Sequence, residues 1–197
     1  MKAYYERRAR EYDDWYLGAG VYAGRARPGW QAELEALGAG LASLPPARTL
    51  DVGCGTGFLT RHLRGEVTCL DQSPSMLAIV ARRLPEAQLV QADAPPLPFP
   101  ADTFERVVAG HFYGHLDAET RALFISEARR VAPELVVVDS ALREDVHPEE
   151  LQERLLSDGS RHEVYKRYFT LSDLSAELGG AETLFAGRWF VAVRTPG

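Results

Sequence analysis

Glycines at 53, 55 and 57 alternate through Asp51-Val52-Gly53-Cys54-Gly55-Thr56-Gly57-Phe58, directly after an apolar run that reads as a buried strand. Glycine adopts φ > 0 at little cost and leaves the main chain bare, so a ligand can lie against it where a Cβ would intrude. A helix is expected over 57–64, and its first N–H groups would point at the same spot. A turn of this kind is a nucleotide or nucleoside site.

The spacing narrows the ligand. Dinucleotide folds use G-x-G-x-x-G and set a pyrophosphate on the helix; here Phe58 stands where the last glycine would be. Asp51, two residues before Gly53, would repel a pyrophosphate at close range but attract a cation. S-adenosylmethionine has a sulfonium, an ammonium and no phosphate, so the turn suits it better than NAD. Asp71 closes the next apolar run, at the offset where such folds place an acid for ribose hydroxyls. Its competing role is an N-cap, for which Ser73 is an equal candidate. Asp93, in Gln91-Ala92-Asp93-Ala94, ends a third run, where a carboxylate can read the exocyclic amino group of adenine while the Ala94 backbone reads the ring edge. A turn-forming side chain is the alternative. Met76 follows on the next helix and would either lie on the purine face or fill the core.

The elements that hold these residues alternate. Strands are expected at 48–52, 67–70, 87–91, 104–109 and 135–139. Helices are expected at 74–83, 118–131, 148–156 and 171–178, giving a parallel sheet with helices on both faces. Residues 183–193 read as two strands joined at Gly187, and 3–16 and 29–43 have helical periodicity. One domain is expected over 1–197. Within it lie a helical cap (1–45), a cofactor core (46–140), a substrate-region insertion (141–170) and a C-terminal helix with its hairpin (171–197).

Composition sets the limits. The chain is 46% hydrophobic and 25% charged, with net charge −6, an ordinary globular balance that gives no electrostatic help in holding nucleic acid. No apolar run is long enough to span a membrane, and the residues after Met1 lack a signal-peptide core, so a cytoplasmic protein is expected. Two cysteines, Cys54 and Cys69, make no disulfide framework, and no metal-ligand cluster is visible.

With the turn, Asp71 and Asp93 in order, the chain resembles class I S-adenosylmethionine-dependent methyltransferases, especially the small-molecule group of ubiquinone/menaquinone-type enzymes. The first motif is Leu50–Gly57, the second Leu70–Leu77, the third Gln91–Phe99, and the strand Phe104–Val108 follows. The resemblance implies a Rossmann-like α/β fold, with a seven-stranded, mostly parallel sheet and an antiparallel last strand. It implies S-adenosylmethionine as cofactor and S-adenosylhomocysteine as product. It also implies cofactor contacts from Asp51, Gly53, Cys54, Gly55, Gly57, Asp71, Gln72, Met76, Asp93, Ala94 and Gly110. Family members often begin with a Tyr-rich helix that folds over the cofactor. Here Tyr5 and Tyr12, seven apart, would share one face of it and could close over the sulfonium.

Methyl transfer from a sulfonium is an in-line displacement that depends mainly on positioning; a base is needed only if the acceptor must lose a proton. The loop Ala109–Leu116 carries the candidates: His111 first and His115 second, each with a purely structural alternative. Tyr113, Arg167 and Tyr168 are weaker candidates for substrate contact. An Asn- or Asp-Pro-Pro-Tyr run is absent, neither cysteine is placed to act as a nucleophile, and a chain without Asn lacks the Asp-Asn pair of magnesium-dependent catechol-type relatives. The expectation is metal-free transfer to an O, N, S or C atom of a small molecule, by a monomer or homodimer. A non-catalytic cofactor-binding partner or sensor with the same fold would show the same turn.

Overall fold

The computed structural model describes residues 2–197. A seven-stranded sheet with order β3-β2-β1-β4-β5-β9-β8 forms its centre. The strands are β1 (Thr49–Val52), β2 (Val67–Asp71), β3 (Gln88–Gln91), β4 (Arg106–Gly110), β5 (Glu134–Ser140), β8 (Glu182–Ala186) and β9 (Phe190–Arg194). Neighbours from β3 to β5 pair in parallel, while β9 is antiparallel to both β5 and β8. The expected reversed last strand is present. Strands β1, β4 and β5 are buried almost throughout, as β-branched runs covered on both faces must be.

Helices α4 (Pro74–Arg83), α5 (Ala118–Val131) and α6 (Leu171–Glu177) fall where their periodicity puts them. Their caps explain the starts. Ser73 Oγ accepts from Met76 N, Asp117 from Thr120 N, and Thr170 from Asp173 N, the usual satisfaction of orphan amides.

Three expectations fail. The helix over 57–64 is one 3₁₀ turn, Thr60–His62, because Phe58 and Leu59 turn into the core beside α3 (Trp30–Ser43). The helix over 148–156 is instead β6 (Glu149–Leu155), paired antiparallel with β7 (Arg161–Arg167) in a separate two-stranded sheet. The helix over 3–16 breaks into α1 (Lys2–Arg8), a 3₁₀ turn (Ala9–Glu11) and α2 (Asp14–Leu17). Helix α3 packs through Leu34, Leu37 and Leu41 against Val108, Val136 and Val138 of the sheet. It therefore belongs to the sandwich rather than to a cap, and the covering part ends with α2. No helix among the described residues is long and apolar enough to cross a membrane.

Candidate functional site

Strand order reverses between β1 and β4, and a crevice opens beyond their C-terminal ends, where open α/β sheets bind ligands. A cleft of about 720 Å³ lies there, lined by Tyr5, Tyr12, Gly53, Gly55, Asp71, Gln72, Asp93, Ala94, His111 and His115 among others. Ten of the expected site residues thus meet on one surface.

Asp71 organises it. Its Oδ2 accepts from Gly55 N at 2.9 Å and its Oδ1 from Ser73 N at 2.8 Å, so the carboxylate pins the glycine turn to the end of β2. Ser73 takes the cap, and a carboxylate has lone pairs beyond these two bonds. Burial pushes Asp71 up, and the amides of Ser73 and Gly55 pull it back. Gly53 needs its glycine twice over: φ is +67°, and a Cβ would come within 2.5 Å of the Phe112 ring.

Asp51 lies behind the turn rather than on the cleft wall, in a smaller cavity with Tyr12, Tyr16, Cys54, Phe58 and Gly110. It is 3% exposed and accepts from Thr60 Oγ1 at 2.5 Å. Burial raises its pKa to about 7, against the pull of Thr60 and with the help of Asp71. Among the described residues no cation is paired with it. A buried acid without a counter-charge is a ready partner for an ammonium.

Besides Asp51, four expected contacts fall outside the cleft. Met76 is fully buried and fills the core under α4. Cys54 packs with Cys69, Leu77 and Val80. Gly57 faces the side chains of Val80 and Leu84. Gly110 borders the smaller cavity only, under Leu59. Each sits in the right stretch of chain, but its side points into protein.

Both histidines are at the cleft. His111 has φ +54°, a conformation non-glycine residues rarely adopt, held by its N–H donating to Val138 O at 2.8 Å. Its ring lies edge-on to Trp15 at 4.8 Å, Nδ1 stands 3.8 Å from Asp139 Oδ1, and neither ring nitrogen is hydrogen-bonded. Burial lowers its pKa, against Asp139. His115 Nδ1 is 2.8 Å from Tyr165 O. A carbonyl only accepts, so Nδ1 carries the proton and Nε2 holds the lone pair. Burial, with Lys166 nearby, drives His115 down to about 3. Tyr113 and Arg167 do not reach the site: both are bound to Glu177.

The N-terminal segment is tied over the cleft. Glu6 accepts from the hydroxyls of Ser73 and Ser75 and from Ser75 N. Asp13 accepts from Thr56 Oγ1 and pairs with Arg83 at 2.5 Å. Tyr5 and Tyr12 are thereby held at the cleft, and burial pushes both phenols above their usual range. Beside the cleft, and sharing Tyr5, Tyr12, His111 and His115 with it, is a wider cavity bounded by β6, β7 and α3. Sequence reasoning missed its basic residues Arg8, Arg154 and Lys166. Reading 148–156 as a helix hid the inward face of β6; Lys166, one of two lysines in the chain, was the available signal.

This geometry agrees with what the chain is similar to. A family model described as "Methyltransferase domain" matches residues 50–134. The malonyl-[acyl-carrier protein] O-methyltransferase of Enterobacter lignolyticus is 32% identical over 176 residues, covering 83% of this chain and 68% of that one. The chloroplastic 2-methyl-6-phytyl-1,4-hydroquinone methyltransferase of Arabidopsis thaliana is 39% identical over 99 residues, 45% of this chain and 29% of that protein. The chain spans less than a third of that relative's length. A solved structure described as "DhpI-SAM-HEP complex" superposes with TM-score 0.74 and 27% identity, covering 98% of this chain and 95% of that one. The chain belongs to the S-adenosylmethionine-dependent methyltransferase family.

Proposed function

We propose that this protein binds S-adenosylmethionine in the cleft after β1 and transfers its methyl group to a small-molecule nucleophile, leaving S-adenosylhomocysteine. When bound, the cofactor supplies a methyl already activated by its sulfonium. The protein's task is to bind, align and exclude water. Asp71 would take the ribose hydroxyls, Gln72 would border the ribose, and Asp93 with the Ala94 backbone would read the adenine. Asp51 would face the ammonium. The acceptor's lone pair forms the new bond as the carbon–sulfur pair returns to sulfur. Any proton on the acceptor atom passes to neutral His111, while His115 with its fixed tautomer borders the acceptor. Tyr5 and Tyr12 exclude water from above. The reaction calls for no metal. The acidic net charge supports a free small molecule over nucleic acid, in a cytoplasmic monomer or homodimer.

The observation that carries this reading is the pairing of a glycine turn pinned by Asp71 with a buried, cation-free Asp51 beside it. Titration calorimetry with S-adenosylmethionine, S-adenosylhomocysteine and NAD tests it. Micromolar binding of the first two, and none of NAD, is expected. Silence from both sulfur ligands at millimolar concentration would end the reading.

A further inference from the structure

The wider cavity, about 1910 Å³ and open to solvent, is lined by six cationic side chains against three carboxylates: Arg8, Arg25, Arg27, Arg143, Arg154 and Lys166 face Asp145, Glu150 and Glu153. In a chain of net charge −6 this is a local inversion. Three of the cations are accounted for. Arg143 pairs with Asp145 at 2.9 Å. Arg27 lies over the Trp30 ring and donates to Trp15 O, and Arg25 is an exposed residue over Tyr22. Of the carboxylates, Glu153 is engaged by Arg161 and Glu150 by the Gln152 amide.

The other three cations converge. Arg8 is 7% exposed; its guanidinium donates to Tyr4 Oη at 2.9 Å and Tyr22 Oη at 3.4 Å and lies over Tyr12. Among the described residues no carboxylate pairs with it. Arg154 donates through Nη2 to the Gln152 amide oxygen, but its buried Nε has no hydrogen-bond partner, and among the described residues no carboxylate pairs with it. Lys166, 3% exposed, donates one of its three protons to Asp139, which is also engaged by the amides of Gly114 and Ser140. Burying a cation without a counter-charge is costly. Strand β6 shows that the arrangement is built. Its alternate residues Glu150, Gln152 and Arg154 turn inward while Leu151 and Leu155 are 68% and 46% exposed, the reverse of the pattern that hydrophobic burial alone would select.

Resting on the methyl-transfer reading above, we propose that the acceptor is a small acid, its oxyanion seated among Arg8, Arg154 and Lys166. This places the rest of the molecule toward Tyr5, Tyr12, His111 and His115, the residues common to both cavities. Guanidinium forks match carboxylate and phosphate oxygens, and an anion there restores the balance that Asp139 alone leaves incomplete.

The test is calorimetry on protein saturated with S-adenosylhomocysteine, titrated at constant ionic strength with inorganic phosphate, succinate and uncharged succinamide. At least one anion is expected to bind tenfold or more tightly than succinamide. Arg154→Gln and Arg8→Gln each lower that affinity at least tenfold with product binding retained, and Arg48→Gln, on the opposite edge of the sheet, changes nothing. Arg8→Gln removes contacts to three tyrosines, so Arg154→Gln decides the matter if the first variant folds poorly. Product binding with no preference for either anion, or an Arg154→Gln variant equal to wild type, would overturn the inference. A wild type that binds no product would overturn the methyl-transfer reading itself.

Discussion

Asp51 gives the sharpest prediction because its environment works against its charge. Its carboxyl is raised from 3.8 to about 7, and at ~1.4 kcal/mol per pH unit that gap favours the protonated acid by ~4 kcal/mol. The folded pKa lies above the unfolded one. Asp51 therefore holds its full contribution to stability below about pH 4 and loses it as pH rises to about 7. A cofactor ammonium reverses that loss by stabilising the ionised form. Affinity for S-adenosylhomocysteine should therefore rise as pH increases toward 7, approaching tenfold per unit well below it. It should fall again only at more alkaline pH, where the ligand's own ammonium loses its proton. Asp51→Asn keeps an acceptor for Thr60 but removes the charge. Apo protein carrying it should melt several degrees higher than wild type at pH 8, at 2–4 °C per kcal/mol for a chain this size. Its product affinity should be weaker and flat between pH 5.5 and 7. Calorimetry across that range, with melting curves alongside, is the assay. A variant no more stable than wild type at pH 8, with unchanged affinity and the same pH profile, would refute the reasoning.

Asp71→Ala removes both the pin on Gly55 and the proposed ribose acceptor, so product affinity should drop at least a hundredfold by calorimetry; a change under fivefold would contradict its role. Lys166→Met strips the counter-charge from Asp139, whose carboxyl burial alone would raise but which Lys166 and His111 hold far below its usual range. Breaking a buried pair in this way costs about 3–5 kcal/mol, read from urea melts at pH 7, and the deficit should begin to shrink as pH falls through the raised value of the unpaired carboxyl, where protonation removes the uncompensated charge. His115 should show the Nδ1-protonated tautomer in ¹⁵N spectra throughout pH 5–8, since burial holds it near 3; an imidazolium at pH 5 would refute that. Glu6→Ala loses three hydrogen bonds to Ser73 and Ser75, and hydrogen exchange over residues 3–12 should accelerate at least tenfold without a fall in global stability.

How much of this the sequence revealed follows from which forces each segment obeys. Strand β1 leads through Asp51 into the glycine turn, β4 and β5 carry apolar runs that reach Gly110 and Asp139, and α4 and α5 begin on Ser73 and Asp117 caps, so periodicity and capping sufficed. Asp71, Asp93, Gly53 and Gly55 were legible because the sheet edge itself assigns their position. Strand β6 was not: Leu151, Leu155 and Leu156 mimic a helical stripe, whereas the strand turns Gln152 and Arg154 inward. That inversion answers to a ligand, not to hydrophobic burial. The break after Arg8 was equally hidden. The run Ala9-Arg10-Glu11-Tyr12-Asp13 contains no Gly or Pro to mark a stop, but Asp13 is drawn out by Thr56 and Arg83. Met76 and Cys54 failed for a simpler reason. Their place beside the turn was readable, but the direction of a side chain on a short helix or a tight bend depends on what packs against it.

The N-terminal segment joins the two cavities physically. Tyr5 and Tyr12 line the cofactor cleft, Arg8 between them belongs to the basic cavity, and Glu6 fastens the same helix to the start of α4. A conformation that docks α1 over the cofactor therefore also brings Arg8 to the acceptor anion, so occupation of one cavity favours the arrangement required by the other. Linkage makes that effect mutual: an anion on Arg8 must tighten cofactor binding by the factor by which the cofactor tightens the anion. The charges cooperate as well. Asp51 lacks a cation and Arg8 lacks an anion, and each raises the cost of the empty state rather than adding a contact to the filled one. A sulfonium donor and an oxyanion acceptor complete both, and their opposite charges attract one another. That attraction vanishes once the transfer neutralises the sulfur, so the same field that assembles the substrates loosens the product.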